Sequence, residues 1–410
     1  MLKRLIRSVA PVRGFRRDDR RLLTLMYLVG LFQGYAQTQA VNTLPFARFS
    51  FGLSQADMSR LFAIARFGAL IAVVYAAIGD RGGRRRPFLA AYLMLFVATG
   101  ATAFTTTPSF YTLLQFFARW GGAGLGILAT VLLAEQMRPE NRAWAISLYA
   151  AAISFGSGLG LFMLPLIRGS DNGWRWLFAF AFLGLIPYPL LSAKLRESRA
   201  FRRYDEPTNV LDPMIGGYGG RFWMLAGYSV SISAFSTVAV TFALERLVND
   251  LGYTTSQAVA IMLVGGTFGG VGFFAGGRMA DSLGRKAAIN VSLFVGLIGG
   301  LGFYWLEQPT LLVPAIILSA FGSSAAIPAS AAQRAELFPT HIRATAVQWL
   351  HSVAVLGSMI GLSIGSLTID SWGLSRTVTT LGIGVILAIA IQVAIPETLG
   401  THIGQETAGA

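Results

Sequence analysis

The sequence predicts an all-α integral membrane protein with twelve transmembrane helices in two pseudo-symmetric six-helix bundles. Three observations carry this. Of 410 residues, 54% are apolar and only 13% charged, about half the charge a soluble chain uses to cover its surface. The apolar residues fall in runs of about 20, the length that crosses a bilayer. The two halves of the chain also repeat one another.

The runs follow in order. The first covers 22–44, then 59–79, 87–107, 110–134, 143–167 and 174–194; after a polar stretch come 222–245, 256–277, 287–306, 309–333, 344–368 and 375–395. The segment ahead of them, 1–21, is basic and leads into the first run without a small-residue cleavage site. It reads as a cytoplasmic lead before a retained span, not a signal peptide. The expected organisation is therefore a lead (1–21), a first bundle (22–194), a linker (195–221), a second bundle (222–395) and a cytoplasmic tail (396–410). The linker combines charge, Pro207 and the run Gly216-Gly217-Tyr218-Gly219-Gly220, the composition of a connector. The 47 glycines suit close packing of membrane helices, and those at 265, 266, 269 and 270 are assigned to it.

Lys and Arg crowd alternate gaps: the lead, the loop Arg81 to Arg86, and Lys194 to Arg203. The gaps near Arg48, Asp171, Asp250, Glu307 and Asp370 are poor in them. This is the positive-inside pattern, so both termini are expected on the cytoplasmic side of the cell membrane. The net charge of +14 thus reflects membrane orientation, and the basic loops lack the interleaved aromatics that stack bases; no nucleic-acid partner is expected. With no cysteine, a thiolate metal site or disulfide is excluded.

The repeat is clearest in charged turns. Gly79-Asp80-Arg81-Gly82-Gly83-Arg84-Arg85-Arg86-Pro87 recurs as Gly277-Arg278-Met279-Ala280-Asp281-Ser282-Leu283-Gly284-Arg285-Lys286. Asp80 and Asp281, Gly83 and Gly284, Arg84 and Arg285, and Arg85 and Lys286 each lie 201 positions apart, as do Glu135 and Glu336, and Arg142 and Arg343. Two six-helix repeats joined by a linker are the layout of a secondary transporter, with its site where the repeats meet.

These residues resemble the major facilitator superfamily. Both charged turns are similar to its cytoplasmic loop motif, Gly-x-x-x-Asp-Arg-x-Gly-Arg-Arg, with Ala76 at the leading glycine of the first copy and Ser282 in place of arginine in the second. Glu197-Ser198 and Pro396-Glu397-Thr398-Leu399-Gly400 resemble the span endings of its sugar-porter and metabolite–proton symporter branch; Arg119 with Gly121, Gly122, Gly124 and Gly126 resembles that branch's fourth helix. The resemblance implies that Asp80, Arg81, Gly83, Arg84, Arg85, Asp281, Gly284, Arg285, Lys286, Glu135, Arg142, Glu336 and Arg343 gate a conformational alternation. The first copy, with its complete Asp-Arg pair, is expected to carry more of that latch. One departure stands out. Where the branch carries Asp-Gly-Phe/Tyr-Asp in span one, this chain has Gln33-Gly34-Tyr35-Ala36, without either acid.

An ionisable group inside a span costs several kcal/mol and marks function by default. Arg119 lies about 13 Å into span four, Arg66 is similarly deep in span two, and His351 lies within span eleven. Glu245, Asp80, Glu135, Asp281 and Glu336 all fall at span ends, so no carboxylate is expected mid-membrane. Arginine stays protonated and needs a counter-anion, which a solute carboxylate or phosphate supplies through the guanidinium fork. The expected solute-binding set is Arg119, Gln33, Gln37, Arg66, Tyr228 and Ser323, with His351 as a proton carrier in place of the missing acids or as a hydrogen-bonded packing residue. Gln33 and Gln37 share a helix face at i, i+4 and serve either the solute or helix packing. Gly265 to Gly272 lie inside a span, where no phosphate loop forms, and no Walker-type sequence or catalytic constellation is present.

The expectation is a monomeric, multi-pass transporter of a small organic solute, best a carboxylate-bearing metabolite, by proton symport or facilitated diffusion. It has no cofactor, metal or enzymatic activity. Efflux of drugs or metabolites is the alternative in the same class, and a non-transporting solute sensor the alternative outside it.

Overall fold

The computed structural model describes residues 17–399 except 73, 76, 77, 80–82, 138–141, 168–171, 198–211, 216 and 339. The lead up to residue 16, most of the linker and the tail from residue 400 lie outside the described residues. The described residues contain helices and no strand. In hydrocarbon a helix is the open-chain form that satisfies its own backbone.

The long helices of the first half are α1 (Arg17–Asn42), α2 (Gln55–Leu70), α3 (Arg85–Ala101), α4 (Pro108–Gln136) and α5 (Arg142–Phe162), with a short helix over Leu44–Phe51 between the first two. A broken span, α6 (Gly173–Lys194), completes the first six. The second six are α7 (Gly219–Thr241), the interrupted α8 (Thr255–Leu283), α9 (Arg285–Trp305), α10 (Pro309–Leu337), α11 (Thr340–Trp372) and α12 (Leu374–Ala394). Among the described residues, ten of these are long and apolar enough to cross a membrane on composition alone. The other two are α1, diluted by the charges from Arg17 to Arg21 and by three glutamines, and α2, only 16 residues long. Most helices begin one to five residues ahead of the apolar runs, and several, among them α2 and α3, end before them.

Contacts divide the chain into two compact units. One comprises Met1–Phe46 and Phe67–Asp205, the other Ala47–Arg66 and Glu206–Ala410. The first unit is cored on Tyr92, Leu95, Phe96, Leu125, Leu128 and Leu132, all fully buried. In the second, Phe222, Leu225, Ala346, Leu350 and Ile395 form a tight cluster. The segment 47–66 belongs to the second unit because polar groups tie it there. Arg48 Nε lies 2.7 Å from Glu245 Oε1, Ser59 donates to Leu362 O at 2.6 Å, and Ala56 N donates to Asp370 Oδ1 at 3.3 Å. Large apolar side chains such as Phe155, Phe162, Trp176, Phe274 and Leu367 stay exposed, as lipid-facing residues do.

Close helix packing rests on small residues. An added Cβ on Gly156 would stand 1.9 Å from Leu31 O, and one on Gly34 1.9 Å from Ile153 O, so α1 and α5 touch backbone to backbone. Along α8 the same holds for Gly269, Gly272 and Gly276 against α10, while Gly265 packs on the Ile316 side chain, Gly266 faces open space and Gly270 meets only its own helix. Two arginines finish helix ends. Arg175 donates to Ala103 O at 3.0 Å and to Thr105 O beyond α3. Arg246 donates to Phe303 O at 3.0 Å and Leu306 O at 3.3 Å at the end of α9. Each satisfies carbonyls that a helix C-terminus leaves bare and adds a favourable charge there.

Gly156→Ala should therefore cost about 1–3 kcal/mol by overpacking, seen as a lower melting temperature of the purified protein. Gly158→Ala, whose Cβ meets nothing within 4 Å, should be neutral or slightly stabilising. Equal shifts for both variants would contradict the crossing geometry.

Candidate functional site

The charged turns are built alike in the two units. Gly83 and Gly284 adopt φ of 96° and 98°, a conformation that only glycine takes without strain. The turn then brings the first N–H groups of α3 and α9 to a carboxylate from the far end of the same unit. Arg84 N donates to Glu197 Oε1 at 2.7 Å and Arg85 N to Glu197 Oε2 at 3.2 Å. In the second unit Arg285 N donates to Glu397 Oε1 at 2.9 Å and Lys286 N to Glu397 Oε2 at 3.0 Å. A Cβ on either glycine would press to 2.6 Å from that carboxylate. A negative group at a helix N-terminus is favourable twice over, as hydrogen-bond acceptor and as dipole partner.

The arginine side chains bridge to the next motif. Arg84 Nη2 lies 3.3 Å from Glu135 Oε1, and Arg285 Nη2 lies 3.0 Å from Glu336 Oε1. Arg285 also reaches Asp281 at 3.2 Å, and Thr398 donates to Glu336 Oε2 at 2.5 Å. Ser282 returns its hydroxyl to Arg278 O on its own helix. Asp80 and Arg81 lie outside the described residues, as do the side chains of Arg142 and Arg343. In the second copy the acid on the N–H groups is Glu397, while Asp281 pairs with the Arg285 guanidinium.

Burial raises the Glu397 carboxyl, but the N–H groups of Arg285, Leu399, Lys286 and Thr398 outweigh it and hold the group below the ordinary glutamate value.

Within the first unit, Arg119 sits near the middle of α4, half-buried. Among the described residues no acid, hydroxyl or carbonyl is hydrogen-bonded to it, and its Nε is buried without a partner. The glycines after it are explained by what they admit. Gly121 lies against the α3 backbone, Gly124 against the Tyr75 ring, and Gly122 against the Gln37 amide, where a Cβ would come within 2.4 Å of Nε2. Gln33 is fully engaged: it donates to Gly122 O at 3.0 Å and accepts from the Tyr149 hydroxyl. Gln37 has no such bond among the described residues and lies beside Gly122, three positions and one helix face from Arg119.

In the second unit Arg66 donates to Ser358 Oγ at 3.2 Å, and His351 is exposed on α11. Tyr228 and Ser323 both line a cavity of about 380 Å³, within the usual range for small-molecule sites. Tyr228 and Ser330 share a hydrogen bond of 3.1 Å. The cavity also holds Arg334, which sequence reading missed because it falls at the polar end of its run. Among the described residues no metal-ligating cluster of three or more acids or histidines occurs.

Residues 26–317 match the profile of the Major Facilitator Superfamily. The chain belongs to that family. Family membership makes it a multi-pass membrane transporter and not an enzyme. It is 27% identical over 401 residues to the gallate transporter of Pseudomonas putida, covering 88% of each chain. It is 24% identical to the 4-hydroxybenzoate transporter PcaK of Pseudomonas aeruginosa, over 90% of this chain and 91% of that one. The fold matches the crystal structure of a bacterial homolog of the human lysosomal transporter Spinster. The TM-score is 0.76 at 17% identity, over 93% of this chain and 97% of the other.

Glu397→Ala should lower stability by about 1 kcal/mol, the cost of a lost helix cap. The folded-state carboxyl titrates below the unfolded one, so its contribution is complete above about pH 4.3 and disappears as pH falls through the folded value. The melting-temperature gap between wild type and Glu397→Ala is expected to be full at pH 7 and to close below about pH 4. A gap that widens on acidification would refute the cap.

Proposed function

We propose that this transporter moves a small carboxylate-bearing organic solute across the cytoplasmic membrane by alternating access, with Arg119 as the solute's anchor. The single observation that carries this is a mid-helix guanidinium with no counter-anion among the described residues. Such a charge is costly in a low-dielectric interior and cannot be relieved by deprotonation. A solute carboxylate relieves it through paired, charge-assisted hydrogen bonds, and the Gln37 amide beside Gly122 adds a donor. The relatives support the same chemistry: gallate and 4-hydroxybenzoate are both hydroxylated aromatic carboxylates. Gln33 holds the Arg119 helix in register, and Arg66, Tyr228 and Ser323 complete the binding set. The moving bodies in this proposal are 22–194 and 222–395, joined by 195–221, with the charged turns as gates. The protein acts as a monomer with both termini cytoplasmic.

Counterflow in proteoliposomes with 4-hydroxybenzoate tests the anchor. Arg119→Ala should reduce exchange by at least about tenfold, the worth of a lost charge-assisted hydrogen bond. Full-rate exchange of a neutral solute in that variant, with no carboxylate competing, would sink the proposal.

His351 is proposed as the coupled proton's carrier, since its ordinary pKa is near neutrality. His351→Gln should abolish accumulation driven by a pH gradient while leaving counterflow intact. Undiminished accumulation removes the residue from that role.

A further inference from the structure

The cavity of the second unit contains Tyr228 and Ser323 of the proposed binding set and, beside them, a chemical pattern that the set does not include. Its walls are α7 and α10, with contributions from α9, α11 and α12. Serines line it in two stripes: Ser229, Ser233 and Ser236 on α7, and Ser319, Ser323 and Ser330 on α10. The first stripe follows i, i+4, i+7, so all three hydroxyls share one helix face. Between them lie apolar residues, among them Ile232, Phe235, Leu293 and Leu297. Among the described residues no acidic side chain lines the space. At one end stands Arg334.

Arg334 is in the last turn of α10, about 4.5 Å along the axis from its final residue. A positive charge there complements the helix dipole, and a lysine would do so equally. The guanidinium is held more specifically than that. Its Nη2 donates to Ser229 Oγ at 3.3 Å across to α7, while its Nε is buried with no partner. One edge of the fork is thus fixed by a serine, and a buried donor is left over. A planar, bidentate anion satisfies such an edge; a carbonyl or water satisfies only one donor.

The hydroxyls prefer ligands that donate. Ser323 gives its proton to Ser319 O at 2.8 Å and Ser292 gives its own to Ala288 O at 2.6 Å, which uses each hydroxyl's one donor and leaves its oxygen able to accept. Tyr228 and Ser330 form a buried hydroxyl pair that can both give and accept one further bond. A ring fits the apolar walls, its hydroxyls fit the serines, and its carboxylate fits Arg334.

We propose that this cavity is a binding site for a hydroxylated aromatic carboxylate, with Arg334 gripping the carboxylate and Tyr228–Ser330 reading the ring hydroxyl. This rests on the carboxylate reading above and deepens it: it assigns a second cationic group, on the second unit, to the solute.

The test is binding to purified full-length transporter in nanodiscs, with three probes: 4-hydroxybenzoate, its methyl ester and benzoate. Wild type should bind 4-hydroxybenzoate over the ester and over benzoate. Arg334→Lys keeps the charge at the end of α10 but not the fork, and should weaken 4-hydroxybenzoate by about tenfold or more. It should also erase the preference over the ester. Tyr228→Phe should leave benzoate unchanged and bring 4-hydroxybenzoate down to it. Because these preferences are ratios, they do not depend on the fraction of protein that folds. Unchanged ratios in both variants, with binding lost only in Arg119→Ala, would overturn this inference and leave the carboxylate reading standing. Wild type that binds the ester and the acid alike would overturn both.

Discussion

In hydrocarbon a polar group must find its partner within the protein, and the arrangement described here follows from that constraint. Most of the backbone meets it by being helical. The side chains that remain polar are then sorted by whether the fold supplies their partners. Gln33 is satisfied at both ends by Gly122 and Tyr149, and the fully buried Glu245 is held by Arg48 and Asn249. Against that background, Arg119 and Arg334 each keep a buried Nε without a hydrogen-bond partner among the described residues, and it is to these two groups that the proposals above assign a solute carboxylate.

Helix ends are the second place where the constraint acts. Carboxylates brought in from about 112 residues away close the N-termini of α3 and α9, and Arg175 and Arg246 close the C-termini of the same two helices. These assignments share one logic, opposite charges at opposite ends of a dipole. They leave α3 and α9 tied at both ends to other parts of their own units. The glycine at each turn matters because it lets the carboxylate approach the N–H groups without a Cβ in the way. The motif is thus a device for docking one helix end onto a distant carboxylate, and its arginines then carry that docking on to Glu135 and Glu336.

Much of this was legible in the residues. Each of the twelve helices falls on an apolar run, although among the described residues only ten meet the length and hydropathy of a span together. The 201-residue repeat paired the charged turns, because duplicated helices need duplicated ends. Arg119 was conspicuous, being a charge where charge is costly. Glu197 and Glu397 were visible only as family-like endings. Their offset of 200 does not match the repeat, and a cap supplied from over a hundred residues away leaves no local pattern. Arg334 was hidden for a related reason: next to Glu336 it looked like another member of a charged turn. Its significance depends on Ser229, 105 residues earlier.

By itself the sequence determined that this is a helical membrane transporter and which groups are anomalous in a bilayer. Those properties depend on composition and short-range pattern, and hydrocarbon enforces them one helix at a time. Tertiary structure decided which polar groups are already satisfied. It made Gln33 a packing residue and left Gln37 available, joined Tyr228 to Ser330, and drew two serine stripes and Arg334 into one cavity. The physical reason is that a hydrogen bond depends on distances of about 3 Å, and those distances join residues a hundred positions apart that only the packing of whole helices brings together.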